Sequence, residues 1–508
     1  MVTKVRTAAL WGLESFPVEA ETFFAKGKGE MTVIGLAEGA VREATQRIYA
    51  ACRSTGLQIP YGSYTVNLAP ADRKKQGSGF DLPILISVLQ YSVLGGIDLS
   101  DAFFFGELSL DGQVRGVNGA LCLALEARRA GARRVFVPFA NRDECSVAED
   151  VEIYPVATVG ELVAHLRGEN LLSPMHFDRN CLADAETAAV DFGDIKGQER
   201  AKRAMEIAAA GGHNVLLVGP PGSGKSMLSK AIPGILPRMS FEEMLEVTKI
   251  YSVAGLLPEN TSLVTRRPFR SPHHTMSFAG LAGGGATPQP GEISLCHHGV
   301  LFLDELPEFE KRSLEILRQP LEDRNITITR AAWKMTFPSS FMLVCAMNPC
   351  PCGYYGSDQK PCVCSPKAIE RYLAKISGPL LDRIDLKVEV PALSYEELNR
   401  KKPGEKSAAV RERVNRARQI ARERYREVGV TCNGDLSGAL TKEFCRPDPQ
   451  AEEVLRAGFE RLNFSARSYD RILRLSRTIA DLDGEKDIME RHVLEAMGYR
   501  FSTGKYFN

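Results

Sequence analysis

Gly219-Pro220-Pro221-Gly222-Ser223-Gly224-Lys225-Ser226 follows the apolar run Val215-Leu216-Leu217-Val218 and leads into a helix-like segment from Met227 onward. A short buried strand that ends in a glycine-rich turn and re-enters as a helix is the layout of a phosphate-binding loop. Glycines at 219, 222 and 224 free the backbone to aim a row of N–H groups at one anion. Pro220, Pro221 and Ser223 complete the turn. Lys225 is placed to reach the β and γ phosphates, and the Ser226 hydroxyl to ligate Mg²⁺. Alone, this pattern also fits a plain Gly/Pro turn between a strand and a helix.

A second segment removes much of that ambiguity. Val300-Leu301-Phe302-Leu303 reads as another buried strand and delivers Asp304 and Glu305 side by side at its end. Asp304 is suited to hold Mg²⁺ through water, and Glu305 to polarise the attacking water. An Asp-Glu turn after a strand is common, but its pairing with a phosphate loop specifies hydrolysis of ATP or GTP.

The chain has 508 residues, with 44% hydrophobic and 25% charged, as in a globular protein of roughly two or three domains. Its net charge of +1 excludes a global electrostatic attraction to nucleic acid, so any such binding must come from local patches or a ring pore. No apolar run reaches about 18 residues, and acidic residues interrupt the N-terminal stretch where a signal peptide needs its apolar core. A cytoplasmic protein without membrane contact is expected. Twelve cysteines then imply reduced thiols or metal rather than disulfides.

Residues 1–170 mix strand-like and helix-like runs and predict an α+β domain. Residues 171–190 lose periodicity and read as a linker. Residues 191–391 alternate strand and helix around the two phosphate motifs, the pattern of an α/β parallel sheet with crossover helices, interrupted near 251–293 by a Gly-, Pro-, Arg- and His-rich insertion. Helices dominate 392–508. In the first of them, Val410, Val414, Ala417, Ala421, Tyr425 and Val428 share one face, and the opposite face is rich in Arg and Glu. That face is either DNA-facing or a solvated surface laced with ion pairs.

Cys350-Pro351-Cys352 and Cys362-Val363-Cys364 are separated by nine residues. A hairpin between them can bring four thiolates to one tetrahedral Zn²⁺ at about 2.3 Å, with free thiols as the alternative. Arg267 and Arg270, with Arg266, His273 and His274, form a basic cluster. Arg330 and Lys334 flank a hairpin-like turn with Trp333. These are candidate DNA contacts in a pore, where cations meet phosphates and an aromatic can stack on a base; packing between subunits is the competing reading.

The segments Arg267–Thr275 (RPFRSPHHT), Pro290–Leu295 (PGEISL), His297–Phe309 (HHGVLFLDELPEF) and Ala346–Tyr355 (AMNPCPCGYY) resemble the ComM/YifB family of magnesium-chelatase-like AAA+ ATPases, and the likeness spans nearly the whole chain. The resemblance implies an AAA+ P-loop core with a helical C-terminal lid, using ATP and Mg²⁺. It implies that Asn348 is the polar sensor beside the γ-phosphate, that Arg383 is an arginine finger entering a neighbour's site, and that Arg467 is a second sensor on the lid. Gly197-Gln198 matches the turn lining the adenine pocket. A homo-hexameric ring follows from a finger acting in trans.

The first domain resembles the Lon-protease (ribosomal-S5-like) fold, with Ser78 at the nucleophile position but Asn118 near the place of the dyad lysine. An amide cannot take a serine's proton, so peptidase activity is not expected, although Lys74 and Lys75 lie close in sequence. The resemblance further implies a DNA motor that drives branch migration in natural transformation or recombination, with recombination proteins as further partners. A chelatase-type motor subunit and a protein-remodelling ATPase are the rival readings.

Overall fold

The computed structural model describes residues 2–27, 29–36, 38–73, 75, 77–179, 190–285, 288–330, 333–357, 360–395, 404–462, 465–501 and 506–507. Half of the expected linker, 180–189, therefore lies outside the described residues. The chain forms two compact units. One comprises Met1–Asp184 with Phe241–Thr265, the other Ala185–Ser240 with Arg266–Asn508.

The first unit is built on a seven-stranded mixed sheet of β1 (Val2–Trp11), β2 (Glu14–Ala25), β3 (Met31–Ile34), β4 (Ser63–Ala69), β5 (Ala102–Phe104), β6 (Arg134–Pro138) and β7 (Glu152–Val156), in the order β3-β4-β2-β1-β5-β6-β7. Phe104, Phe136 and Tyr154 stack across β5, β6 and β7, with ring centroids 4.8 and 5.2 Å apart. The helix Asp81–Leu89 is buried along its length and apolar apart from Asp81, which pairs with Arg47, and Ser87.

The helix Phe241–Ala254 follows the phosphate loop in sequence but joins this first unit. Phe241, Met244 and Leu245 pack with Leu121, Val147 and Leu263. The buried Glu144 carboxylate accepts from Ser252 Oγ, from Asn141 Nδ2 at 2.7 Å and from Leu121 N at 3.3 Å. Burial raises the pKa of Glu144, and these donors only partly offset it.

The second unit holds a five-stranded parallel sheet. Its strands are β8 (Val215–Val218), β9 (Phe269–Arg270), β10 (Val300–Leu303), β13 (Met342–Met347) and β14 (Leu386–Glu389), in the order β9-β10-β13-β8-β14. Every residue of β8, β10 and β13 is buried, because helices and loops cover both faces of a parallel sheet. The strands β11 (Asn325–Arg330) and β12 (Trp333–Pro338) form a separate antiparallel hairpin.

Helices dominate from residue 407. In Ser407–Arg424 the face of Val410, Val414, Ala417 and Ala421 enters the core with Tyr425. Two arginines on the helix's other sides bind neighbouring helices: Arg413 Nε lies 2.5 Å from Glu206 and Arg424 Nη2 2.5 Å from buried Asp481. Ion pairs between elements thus occupy those two residues of the arginine-rich face. No helix among the described residues is long and apolar enough to cross a membrane.

Candidate active site

The strand order β10-β13-β8 sets three C-terminal ends side by side, and each end carries part of one polar cluster. After β8, the loop begins at Gly219, where a Cβ would fall 2.1 Å from the Val390 carbonyl oxygen; only glycine fits beside the chain leaving β14. The loop passes Pro220, Pro221, Gly222 and Ser223 and enters the helix Lys225–Ala231 from Gly224, whose φ is 91°.

Lys225 is 8% exposed. Its ammonium donates to the Gly219 and Pro220 carbonyls, both at 2.8 Å, and lies 3.3 Å from Ser223 Oγ and from Asn348 Oδ1. Burial pushes its pKa down from 10.5 to about 8, with Asp304 pulling the other way. Ser226 Oγ donates to Asp304 Oδ2 at 2.7 Å. The structure therefore brings Lys225, Ser226, Asp304 and Asn348 together: one ammonium, one hydroxyl, one carboxylate and one amide at the mouth of a phosphate loop.

Glu305 extends from this group with a left-handed φ of 52° and an exposed side chain. His274 Nδ1 approaches its carboxylate at 3.5 Å, and the His273 ring lies 4.1 Å from that of His274. In the sequence, His274 stands out only as part of a basic cluster. The pairing of β9 with β10 carries the segment after β9 toward the end of β10, where His274 meets Glu305.

Gln198, also left-handed at φ 59°, reaches from the Gly197 turn to donate to Ser223 O at 3.2 Å and Pro391 O at 2.7 Å. The turn thus braces the back of the phosphate loop.

Arg383 and Arg467 gather elsewhere in the same unit. Arg383 is 6% exposed, donates to Pro379 O at 2.7 Å and forms an ion pair with Glu322. The Arg383 hydrogen bond, then the charges of Arg383, Arg467 and Arg471, hold the Glu322 carboxyl below its ordinary value against the effect of burial. A cavity of about 340 Å³ opens here, lined among others by Glu322, Arg324, Arg467, Arg471 and Arg474. Glu322 gave no signal in the sequence, because an acidic residue on a short helix carries no motif.

The basic candidates have separate surroundings. The Arg267 guanidinium bridges the carbonyls of Pro237 at 2.6 Å, His298 at 2.7 Å and Arg238 at 3.3 Å. Arg270 meets Glu292 through two bonds of 2.6 Å. Lys334 is exposed on β12, whereas the side chain of Arg330 lies outside the described residues.

In the first unit, Ser78 Oγ donates to Glu107, and the Lys75 ammonium is held by the carbonyls of Pro70 and Arg73. Asn118 lies against Gly255. Ser78 and Lys75 thus bond to other partners and not to each other, and Lys74 lies outside the described residues.

The four cysteines converge. Cys350 and Cys352 sulfurs are 3.4 Å apart, Cys350 and Cys362 3.7 Å, and Cys352 and Cys362 3.6 Å. All four Sγ atoms, including that of Cys364, lie within 4.8 Å of one another. The Tyr354 N–H foremost, with the Val363 N–H and neighbouring thiols, pulls the Cys352 thiol down to about 6.

A parallel α/β sheet with a glycine-rich loop after a central strand and a carboxylate pair after a nearby one fits the AAA+-like class of α/β proteins. Comparison narrows the class. Three family models match: "Magnesium chelatase, subunit ChlI" over residues 191–398, "Subunit ChlI of Mg-chelatase" over 19–141, and "Magnesium chelatase, subunit ChlI C-terminal" over 404–500.

The chain is 42% identical to "Competence protein ComM" of Haemophilus influenzae over 98% of its own length and 97% of that protein's. It is 41% identical to "Uncharacterized protein YifB" of Escherichia coli, covering 98% and 96%. A stretch of 166 residues is 29% identical to the "Magnesium-chelatase 67 kDa subunit" of Chlorobaculum parvum, 32% of this chain and 23% of that one. The chain belongs to the ComM/YifB family of magnesium-chelatase-like proteins.

Proposed function

We propose that this chain is a ring-forming ATPase of the cytoplasm that moves on branched DNA and drives branch migration during recombination, including the integration of incoming single strands in natural transformation. The observation that carries the ATPase reading is the convergence of Lys225, Ser226, Asp304 and Asn348 at the ends of three neighbouring strands.

In this reading the backbone of 219–224 and Lys225 bind the triphosphate, while Gly197-Gln198 supports the adenine end. Ser226 and Asp304 orient Mg²⁺, which neutralises phosphate charge when bound. Glu305 polarises the attacking water, and Asn348 orients it against the γ-phosphate. Ring formation brings Arg383 of one protomer to the nucleotide of the next, and Arg467 serves as the second sensor on the helical lid. A hexamer is the assembly proposed. ATP, Mg²⁺ and a structural Zn²⁺ on the four cysteines are its cofactors.

The DNA reading draws support from the full-length similarity to a protein named for competence and from exposed Lys334 at the hairpin. Lys334 and Arg330 are the proposed pore contacts. Arg267 and Arg270 contribute to DNA binding only by shaping the insertion, because each already has protein partners. We infer a Lon-like fold without peptidase activity for the first unit.

The discriminating experiment measures phosphate release in parallel with single-stranded DNA, forked DNA and unfolded protein. Stimulation greatest with forked DNA is expected. Stimulation by unfolded protein alone would favour a remodelling ATPase instead.

A further inference from the structure

The four-cysteine knuckle has the dimensions of a metal site. Tetrahedral coordination with bonds of about 2.3 Å places sulfurs roughly 3.8 Å apart. The measured separations of 3.4, 3.6 and 3.7 Å match that edge, and all exceed the disulfide bond length of about 2.05 Å. Backbone donors surround the sulfurs as thiolates require: Tyr355 N donates to Cys350 Sγ at 3.3 Å and Cys352 N to Cys364 Sγ at 3.4 Å. A closed set of four soft ligands suits Zn²⁺ and leaves no position for a substrate.

The knuckle also has three connections to the nucleotide cluster. Cys350 is fully buried and stands two positions after Asn348, directly beyond the end of β13. Gly353, with φ 87°, packs on the phosphate loop: a Cβ there would lie 2.5 Å from Pro221 Cδ and 3.9 Å from Asn348 Cγ. On the other side, Cys364 precedes the helix Pro366–Leu373, capped by Ser365. Just past that helix, Lys375 pairs at 3.3 Å with Glu308, in the turn after Glu305. A rigid knuckle at this place therefore braces Pro221, Asn348 and the Glu305 turn against one another.

We propose that Zn²⁺ bound by Cys350, Cys352, Cys362 and Cys364 makes this knuckle a clamp that positions Asn348 and the phosphate loop for hydrolysis, with Gly353 as the positioning residue at the contact. The clamp rests on the ATPase reading and adds a metal requirement to it. A misplacement on the order of 1 Å costs about 10²-fold in rate, whereas triphosphate affinity depends chiefly on loop amides and Lys225 and tolerates the shift better.

The test uses full-length protein purified without chelators. Elemental analysis should find one zinc per chain, and Co²⁺-substituted protein should show the d–d absorption of a tetrahedral tetrathiolate. Cys362→Ser should lose the metal. Gly353→Ala should keep it, yet lower kcat at least about tenfold while the Kd for a fluorescent ATP analogue changes by less than about threefold.

Should Cys362→Ser fail to fold, Gly353→Ala still decides the matter. Wild-type protein that is active without zinc, or Gly353→Ala with zinc and wild-type kcat, would overturn the clamp alone. Wild-type protein that carries zinc but binds no ATP analogue would overturn the ATPase reading, and the clamp with it.

Discussion

The phosphate cluster and the arginine cluster occupy one compact unit but differ in their partners. Lys225 bonds Asn348 and Ser226 bonds Asp304, two adjacent pairs in a single protomer. Arg383 and its neighbours gather around Glu322, a carboxylate of their own chain. The first cluster is shaped to receive an anion. The second already holds a carboxylate where a phosphate would satisfy the same guanidinium geometry. In the ring proposed above, Glu322 would hold Arg383 until a neighbour's triphosphate replaces it.

That contrast can be tested from both sides. Arg383→Ala should lower kcat by about 10³-fold or more while nucleotide affinity stays nearly intact. Loss of binding in a titration with labelled ATP would instead place Arg383 within its own protomer's binding cluster. Glu305→Gln should cost about 10² to 10⁴-fold in single-turnover hydrolysis, again with binding retained, because the amide can still hold a water but cannot take up its proton. Hydrolysis at the wild-type rate would assign the water-activating role elsewhere, with His274 next in line.

The pH dependence of binding reads the phosphate cluster directly. In the free protein the Lys225 ammonium loses its proton at about 8, while a bound triphosphate favours the charged form. Below pH 8 affinity should be flat with respect to this group. Above it, binding must take up a proton, so calorimetric Kd should rise by up to about tenfold per pH unit. A flat profile to pH 9.5 would mean that Lys225 either keeps its proton in the free protein or does not contact phosphate.

The smallest effect is expected at the arginine cluster. Glu322→Gln removes the charge that restrains Arg383 and should raise the ATPase rate of the assembled protein by about threefold. A lower rate would show that Glu322 supports the finger rather than restraining it.

Much of the phosphate cluster was legible because its parts are local. A strand, a glycine turn and a helix start each follow from a few adjacent residues, and the Asp304-Glu305 pair is fixed by the strand before it. The cysteine pairs were legible for the same reason. Partners distant in sequence were not. His274 and Arg267 carry identical evidence of charge in the primary structure, yet one faces Glu305 and the other braces three carbonyls. Long flexible cations have many possible acceptors, and only the packing of the backbone selects among them.

Sequence alone determined the α/β nature of the core, the phosphate loop and its acidic pair, and the apolar face of Ser407–Arg424, because hydrophobic periodicity and backbone conformation are set over a turn or two of chain. Tertiary structure alone decided that Phe241–Thr265 folds into the first unit, that Glu322 receives Arg383, and that Gly353 rests on Pro221. Those outcomes depend on which surfaces meet and exclude water, a property of the whole packed chain rather than of any short segment.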